Sequence, residues 1–527
     1  MAQPTAATPT KPAGKSPAAS TATLSVMTLA IMNVTAVVSL RGLPSEATYG
    51  LTSAFYYVFA AIFFLIPVSI VAAELATGWP QKGGVFRWVG ESFGARWGFL
   101  AIFLLWLEST IWFPTVLTFG AVAIAFAGPD QPWDKALASN KFYTIAIVLA
   151  VYWGATLTAL RGLRSAAKIA KWGGLIGTII PAGVLIVLGF AYLLSGRPLQ
   201  ISLAWHELLP DFSHFSNLVL AASIFLFYAG MEMNAIHVKD IDNPTRNYPL
   251  AILISSVVTV VIFVLGTLAI ALITPAKQIN LVQSLLTTYD SFFSVFGLHW
   301  LSPVVAVALA FGVLGGVTVW VAGPSSALAG VGRAGYLPPF FQKINAHGAP
   351  SHILLVQGLI VTFLSVMFVV LPSVQAAYQI LSQLTVTLYL IMYMLMFTAA
   401  IHLRYSEPHT PRPYKVPGGE AGMWIFAGVG FIGSLIAFFL SFVPPSQIKV
   451  GSSTVYVVIL IGGNVLLVAI ALIIYALRKP HWKQPEAAAA ADFEPFSWER
   501  EGRMPGSPQK AYTPEAANSG RRAASES

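Results

Sequence analysis

The chain has no cysteine among its 527 residues, and only 10% of them are charged. Without cysteine there is no disulfide, no thiol nucleophile and no thiolate metal site. Charge this sparse lies far below the roughly 25% of soluble domains. The histidines are scattered without metal-ligand spacing, so no metal is assigned. Also missing are a GxxxxGK[ST] phosphate-binding loop, an HExxH pair and a GxSxG elbow. Neither an ATPase nor a hydrolase signature is therefore present. No enzyme activity and no cofactor are expected, and a pump without its own ATP site must draw on gradients or on exchange.

What is present is apolar. Hydrophobic residues make up 56% of the chain and the mean hydropathy is +0.72. The runs Ala54–Ala76, Gly174–Leu194, Ile252–Ile273 and Val455–Leu477 are nearly free of charge. About 20 residues at 1.5 Å rise per residue match a hydrocarbon core of roughly 30 Å. Backbone groups in lipid must be satisfied within the segment, and no period-2 alternation marks a barrel, so these runs are read as helices. Window length predicts about 12 spans. Approximate limits are 24–50, 54–77, 97–127, 142–160, 172–195, 215–238, 249–273, 299–330, 352–371, 375–403, 421–442 and 453–477.

Loop charge sets the expected orientation. Loops after spans two, four, six, eight and ten carry 14 Lys and Arg residues, against 5 in the opposite loops. Both termini are thus expected in the cytoplasm of a multi-pass inner-membrane protein. The net charge of +9 is then membrane topology rather than a nucleic-acid interface. Residues 1–22, rich in Ala, Pro, Thr and Lys, read as a disordered tail and not as a cleavable signal peptide. Residues 478–527 read the same way, mostly disordered and a candidate plug. Between them lie a transport core over 23–403, then a cytoplasmic loop and the last two spans over 404–477.

Two spans carry helix-breaking sequence. Span one contains Ser39-Leu40-Arg41-Gly42-Leu43-Pro44, and span six contains Phe227-Tyr228-Ala229-Gly230-Met231-Glu232. Transporters bind substrate where paired helices are interrupted near the midplane. The five-span offset is that of an inverted repeat, spans one to five (about 23–195) and six to ten (about 215–403), with two further helices appended. Ionisable residues within membrane spans are functional candidates by default. Arg41 is positioned to take a substrate carboxylate, with exposed N–H groups of the break beside it; its structural alternative is an interfacial pair with Glu46. Glu232 is read as an amine site, a proton carrier or a cap. Glu108, well inside span three, is a proton-carrier candidate whose alternative is an ion pair with Arg41 or Lys168. Glu74, near a span end, reads as a structural partner of a loop cation. Trp320, and Tyr389 with Tyr393 one turn apart on one face, are candidate walls of a path.

At these residues the chain resembles the amino acid–polyamine–organocation (APC) superfamily, and within it the bacterial glutamate/4-aminobutyrate (GABA) antiporters. The matching motifs include Phe64-Leu65-Ile66-Pro67-Val68, Gly83-Gly84-Val85-Phe86-Arg87-Trp88-Val89, Gly230-Met231-Glu232 with His237-Val238, Trp320-Val321-Ala322-Gly323-Pro324-Ser325, and Arg412-Pro413-Tyr414-Lys415-Val416-Pro417-Gly418-Gly419. The resemblance implies an all-α polytopic membrane protein, with a 5+5 inverted-repeat (LeuT-like) core, broken helices one and six, and two extra helices. It implies exchange of amino acids by alternating access, with Ser39, Arg41, Gly42, Tyr228, Gly230, Glu232, Trp320, Tyr389 and Tyr393 on or beside the path. Expected partners are small amino acids and lipid, with the chain a monomer or homodimer. In such antiporters the C-terminal tail can plug the cytoplasmic mouth. Two departures alter the charge of the site: the usual Gly-Ser-Gly of span one is Val38-Ser39-Leu40-Arg41-Gly42 here, and the acidic residue of span eight is replaced by Gly316. The rival readings are a proton-coupled amino-acid or polyamine symporter, and a transporter-like sensor that binds without turnover.

Overall fold

The computed structural model describes residues 25–81, 83–128, 131–161, 172–210, 218–232, 242–446, 450–484 and 494–509. Every regular element among them is helical. Ten helices are long and apolar enough to cross a membrane, and a pair bent by 43°, Val26–Thr35 with Leu40–Ala47, makes an eleventh. Their order reproduces the predicted one. The missing member is span six, whose described part holds a 3-10 turn Leu220–Ala222 and a short helix Ser223–Tyr228 that ends at Ala229. The second half of the predicted span six, with His237 and Val238, lies outside the described residues. The chain is a polytopic all-α membrane protein.

Burial separates a core from a rim. Span three (Ala95–Ala125) has 94% of its most apolar window buried, whereas span twelve (Ser453–Ala476) has 17%. A helix that is hydrophobic all round and buried all round belongs at the centre of a bundle. Span three packs most extensively on span ten (Val374–Ser406) and span eight (Ser302–Val331). Spans eleven (Gly419–Leu440) and twelve show their apolar faces outward, where lipid replaces protein.

Proline and glycine shape the core helices. Two five-residue π turns, Ala61–Leu65 and Leu175–Ile179, each stand just before a proline, Pro67 and Pro181. Proline lacks the N–H for the i−4 carbonyl and crowds it, and a wider turn relieves both. Spans five (Trp172–Leu194) and eight touch through glycine: a Cβ on Gly177 would lie 2.2 Å from the Cα of Gly312. Small residues let membrane helices approach backbone to backbone. This crossing seats span eight against the first half of the core, and Trp320 is carried on it two turns further along.

Candidate functional site

Span one stops being helical at Val38 and Ser39, both extended, and resumes as a 3-10 turn over Leu40–Gly42. Span six stops at Ala229, extended at φ −70° and ψ 152°, and turns through Gly230 at φ 107°. A side chain at that positive φ would be strained, so glycine is what lets the chain turn there. Both breaks predicted from Gly and Pro are thus present, and they meet. The ring of Phe227 lies against Gly42, where a Cβ would stand 2.3 Å from a ring carbon. Gly42 is required by that packing and does not line the cavity described next.

A cavity of about 50 Å³ lies between the two breaks, walled by Ser39, Arg41, Glu108, Trp112, Trp320 and Tyr389 among others. At about 10–15 Å³ per water-sized sphere it has room for roughly four waters. Five of its wall residues were expected from sequence. Arg41 is 3% exposed and is held from two sides. Its Nη1 donates to the Thr115 and Tyr378 hydroxyls, each at 3.2 Å, and its guanidinium sits 5.4 Å from the Trp112 ring and 5.9 Å from that of Phe227. It makes no pair with Glu46, whose Oε1 instead accepts from Ser45. Nor does it pair with Glu108, whose Oε1 has no hydrogen-bond partner among the described residues. The other partner weighed for Glu108, Lys168, lies outside the described residues.

Glu232 is bonded on every side. Its Oε1 accepts from the Tyr389 hydroxyl at 2.5 Å, and its Oε2 from the Tyr393 hydroxyl at 2.5 Å and the Gly230 N–H at 3.2 Å. Tyr389 and Tyr393 lie one turn apart with rings stacked at 4.7 Å, as their spacing predicts. Glu232 also lines a second, larger space of about 710 Å³. This vestibule runs along Trp88, Pro324 and Arg333 to the loop residues Trp79–Gln81 and Ile344 at one end of the bundle. Tyr389 faces the small cavity and Glu232 the large one, so their hydrogen bond stands between the two spaces. Tyr228 is placed apart from both: its hydroxyl donates to the Tyr57 carbonyl at 3.1 Å and its ring packs on Phe263.

The residues that sequence reasoning missed are Trp112, Phe227, Thr115 and Tyr378. Trp112 had a usable signal, since it sits four residues after Glu108 and therefore on the same helix face. Thr115 and Tyr378 had none, because their link to Arg41 spans 74 and 337 residues of sequence. Glu74 behaves as expected of a structural acid. Arg404 reaches it at 2.7 Å, Arg412 at 3.4 Å, and the Val416 N–H donates to it at 2.7 Å. Arg412 lies outside the spans; burial pulls its guanidinium below the ordinary value and Glu74 pulls it back.

The tail is partly built in. Residues 494–509 pack on the helix Val85–Phe93 and the end of span ten. Arg87 donates to the carbonyls of Glu494 and Pro495 at 2.6 and 3.1 Å. The Ser497 N–H donates to Glu91 at 2.9 Å, and its hydroxyl lies between the carboxylates of Glu91 and Glu407, 2.6 and 2.8 Å away. Arg503 also pairs with Glu407. None of these tail residues lines the vestibule.

Buried helices long enough to cross a membrane, two of them interrupted beside a small cavity with a cation at its wall, are the architecture of a membrane transporter of small solutes. The amino acid permease family model matches residues 24–463, and the chain belongs to that family within the APC superfamily. An uncharacterized transporter of Legionella pneumophila is 40% identical over 440 residues, 83% of this chain and 93% of that protein. A glutamate/gamma-aminobutyrate antiporter of Lactococcus lactis is 34% identical over 447 residues, 84% of this chain and 88% of that one. A probable agmatine/putrescine antiporter of the same species is 25% identical over 446 residues, 84% and 92% respectively.

Proposed function

We propose that this chain is an amino-acid antiporter of the glutamate/GABA type in the bacterial inner membrane, with both termini in the cytoplasm. Spans one to five and six to ten act as inverted repeats that rock around the cavity at their two breaks. The observation that carries this reading is Arg41: a buried guanidinium with no acidic partner among the described residues, facing a cavity sized for a small charged head. A buried cation without a counterion is costly, and a substrate carboxylate supplies one.

Ser39 and the backbone of the span-one break receive the same carboxylate, and Trp320 closes the cavity laterally. The vestibule leads toward the basic loops, which the proposed orientation puts on the cytoplasmic side, with Tyr389, Tyr393, Gly230 and Glu232 as the partition that must part when substrate crosses. Three donors on one carboxylate let that partition close in one geometry and release as a unit. Glu108 is the remaining acid at the cavity and the candidate for coupling to cations. The Lactococcus lactis relative at 34% identity is a glutamate/gamma-aminobutyrate antiporter, which supports exchange over uniport.

The test is uptake of labelled glutamate into proteoliposomes, either empty or preloaded with 4-aminobutyrate, glutamate or other amino acids. Uptake into preloaded vesicles alone is expected. Uptake into empty vesicles driven by a pH gradient would establish the symporter, which a Glu108 oxygen left without a partner among the described residues also suits. Binding without any uptake would leave the sensor reading.

A further inference from the structure

We propose that the small cavity is a two-signed site, in which Glu108 takes the ammonium group of the ligand while Arg41 takes its carboxylate. The ligand class is then a compact zwitterionic amino-acid head, not a dicarboxylate that lacks an amine and not a polyamine. The proposal rests on the transport reading above and goes beyond it in naming what the acid of span three does.

Three observations carry it. First, Glu108 is 2% exposed, lines the cavity, and leaves its Oε1 without a hydrogen-bond partner among the described residues. Buried polar atoms are almost always satisfied, so an orphan at a cavity wall marks a place for a ligand atom. Second, Arg41 on the same wall is in the complementary condition. Its Nε is an orphan too, and its Nη1 bonds go to neutral hydroxyls. Those two bonds and the Trp112 face hold the guanidinium, so it does not swing across to neutralise Glu108 itself. Third, the remaining wall is largely apolar and aromatic, with Val37, Trp112, Phe227 and Trp320 beside the hydroxyls of Ser39, Ser109 and Tyr389. Such walls exclude water and strengthen whatever charge pairing forms inside. Aromatic faces also favour an ammonium over an uncharged head.

The charges of the site select the ligand. One cation and one anion share a space of about 50 Å³. A zwitterionic head pairs both. A dicarboxylate without an amine leaves Glu108 facing a like charge, and a diamine leaves Arg41 so. The acid stands on span three, which fits the absence of a carboxylate at Gly316 on span eight.

Equilibrium binding of labelled glutamate to the purified full-length protein, competed by unlabelled glutamate, glutarate and putrescine, tests this. Glutarate is glutamate without its amine. In the wild type, glutarate and putrescine are expected to compete far more weakly than glutamate. Glu108→Gln is expected to weaken glutamate by roughly thirtyfold or more, and to leave glutarate unchanged or improved, so that the preference collapses. Glu108→Asp, which keeps the charge, is expected to keep the preference for the amine. A preference unchanged in Glu108→Gln would overturn the assignment, as would its loss in a folded Glu108→Asp. A wild type that binds no amino acid at all would instead bring down the transport reading beneath it.

Discussion

Two buried carboxylates border the two neighbouring spaces, Glu232 the vestibule and Glu108 the small cavity that Tyr389 also lines, and their surroundings could hardly differ more. Glu232 receives three donors, from Tyr389, Tyr393 and the Gly230 N–H. Glu108 keeps an oxygen with no partner among the described residues. Burial is nearly the same, at 3% and 2% exposed, so depth does not distinguish them. What distinguishes them is which space they face. Glu232 borders the vestibule and is satisfied by protein; Glu108 borders the small cavity, where on the proposal above the ligand's ammonium completes its bonding. A fully bonded acid reports the conformation, and an incompletely bonded one reports the ligand. Glu74 is a third case, bonded by two arginines at the bundle end and touching neither space.

That distinction assigns each acid a different measurable. The largest effect is expected on the ligand side. Arg41→Ala should lower affinity for carboxylate substrates by about a hundredfold or more, read by equilibrium binding, with membrane insertion intact. Arg41→Lys should not restore it, because an ammonium lacks the fork that reaches Thr115, Tyr378 and a carboxylate together. Wild-type affinity in Arg41→Ala would move this residue to a purely structural role. Glu74→Gln should act on stability alone. It leaves two buried guanidiniums without their acid, which costs about 3–5 kcal/mol and should appear as a lower unfolding temperature, with affinity unchanged in the protein that folds.

Glu232→Gln should separate turnover from binding. A carboxamide offers one acceptor oxygen and an NH2 group, so it cannot take donors from both tyrosines and Gly230. Losing one charge-assisted bond costs about 1.5–3 kcal/mol, so exchange should slow by roughly tenfold to a hundredfold, while substrate affinity shifts by less than about threefold. Equal losses in both quantities would erase the contrast with Glu108.

How much of this was readable in advance follows from the range of each interaction. The spans were legible because hydropathy accumulates over 20 neighbouring residues, and the two breaks because glycine and proline act on their own backbone. Tyr389 and Tyr393 were legible as a pair from helical spacing. The bonds of Arg41 were not: Thr115 and Tyr378 come to it through the packing of spans three and ten, which no local pattern encodes. Gly42 was placed in the site from its position in the break, but its lack of a side chain accommodates the Phe227 ring. The tail 494–509 looked featureless because its composition is polar and low in complexity nearby. Its attachment depends on a few residues, among them Phe496, Ser497 and Trp498, set against Arg87, Glu91 and Glu407.

That attachment supplies the smallest expected effect. Ending the chain after Lys483 removes the carbonyls that accept from Arg87 and the hydroxyl that bridges Glu91 to Glu407. Outside the spans, burial lowers the Arg87 guanidinium below its ordinary value and Glu91 raises it again. The Arg87–Glu91 pair at 2.7 Å lies within one helix and survives the truncation, so the helix Val85–Phe93 keeps its own ion pair. Trp88 on that helix lines the vestibule, but the tail residues do not. A tail that braces the wall from behind should therefore change exchange by less than about threefold, on the scale of a single neutral hydrogen bond, and leave its pH dependence where it was. The helix Val85–Phe93 should meanwhile lose protection in hydrogen exchange. A truncated protein that instead transports freely at a pH where the full chain is shut would show the tail acting on the vestibule mouth, and would place a third control point beyond Glu232 at the partition and Glu108 at the small cavity.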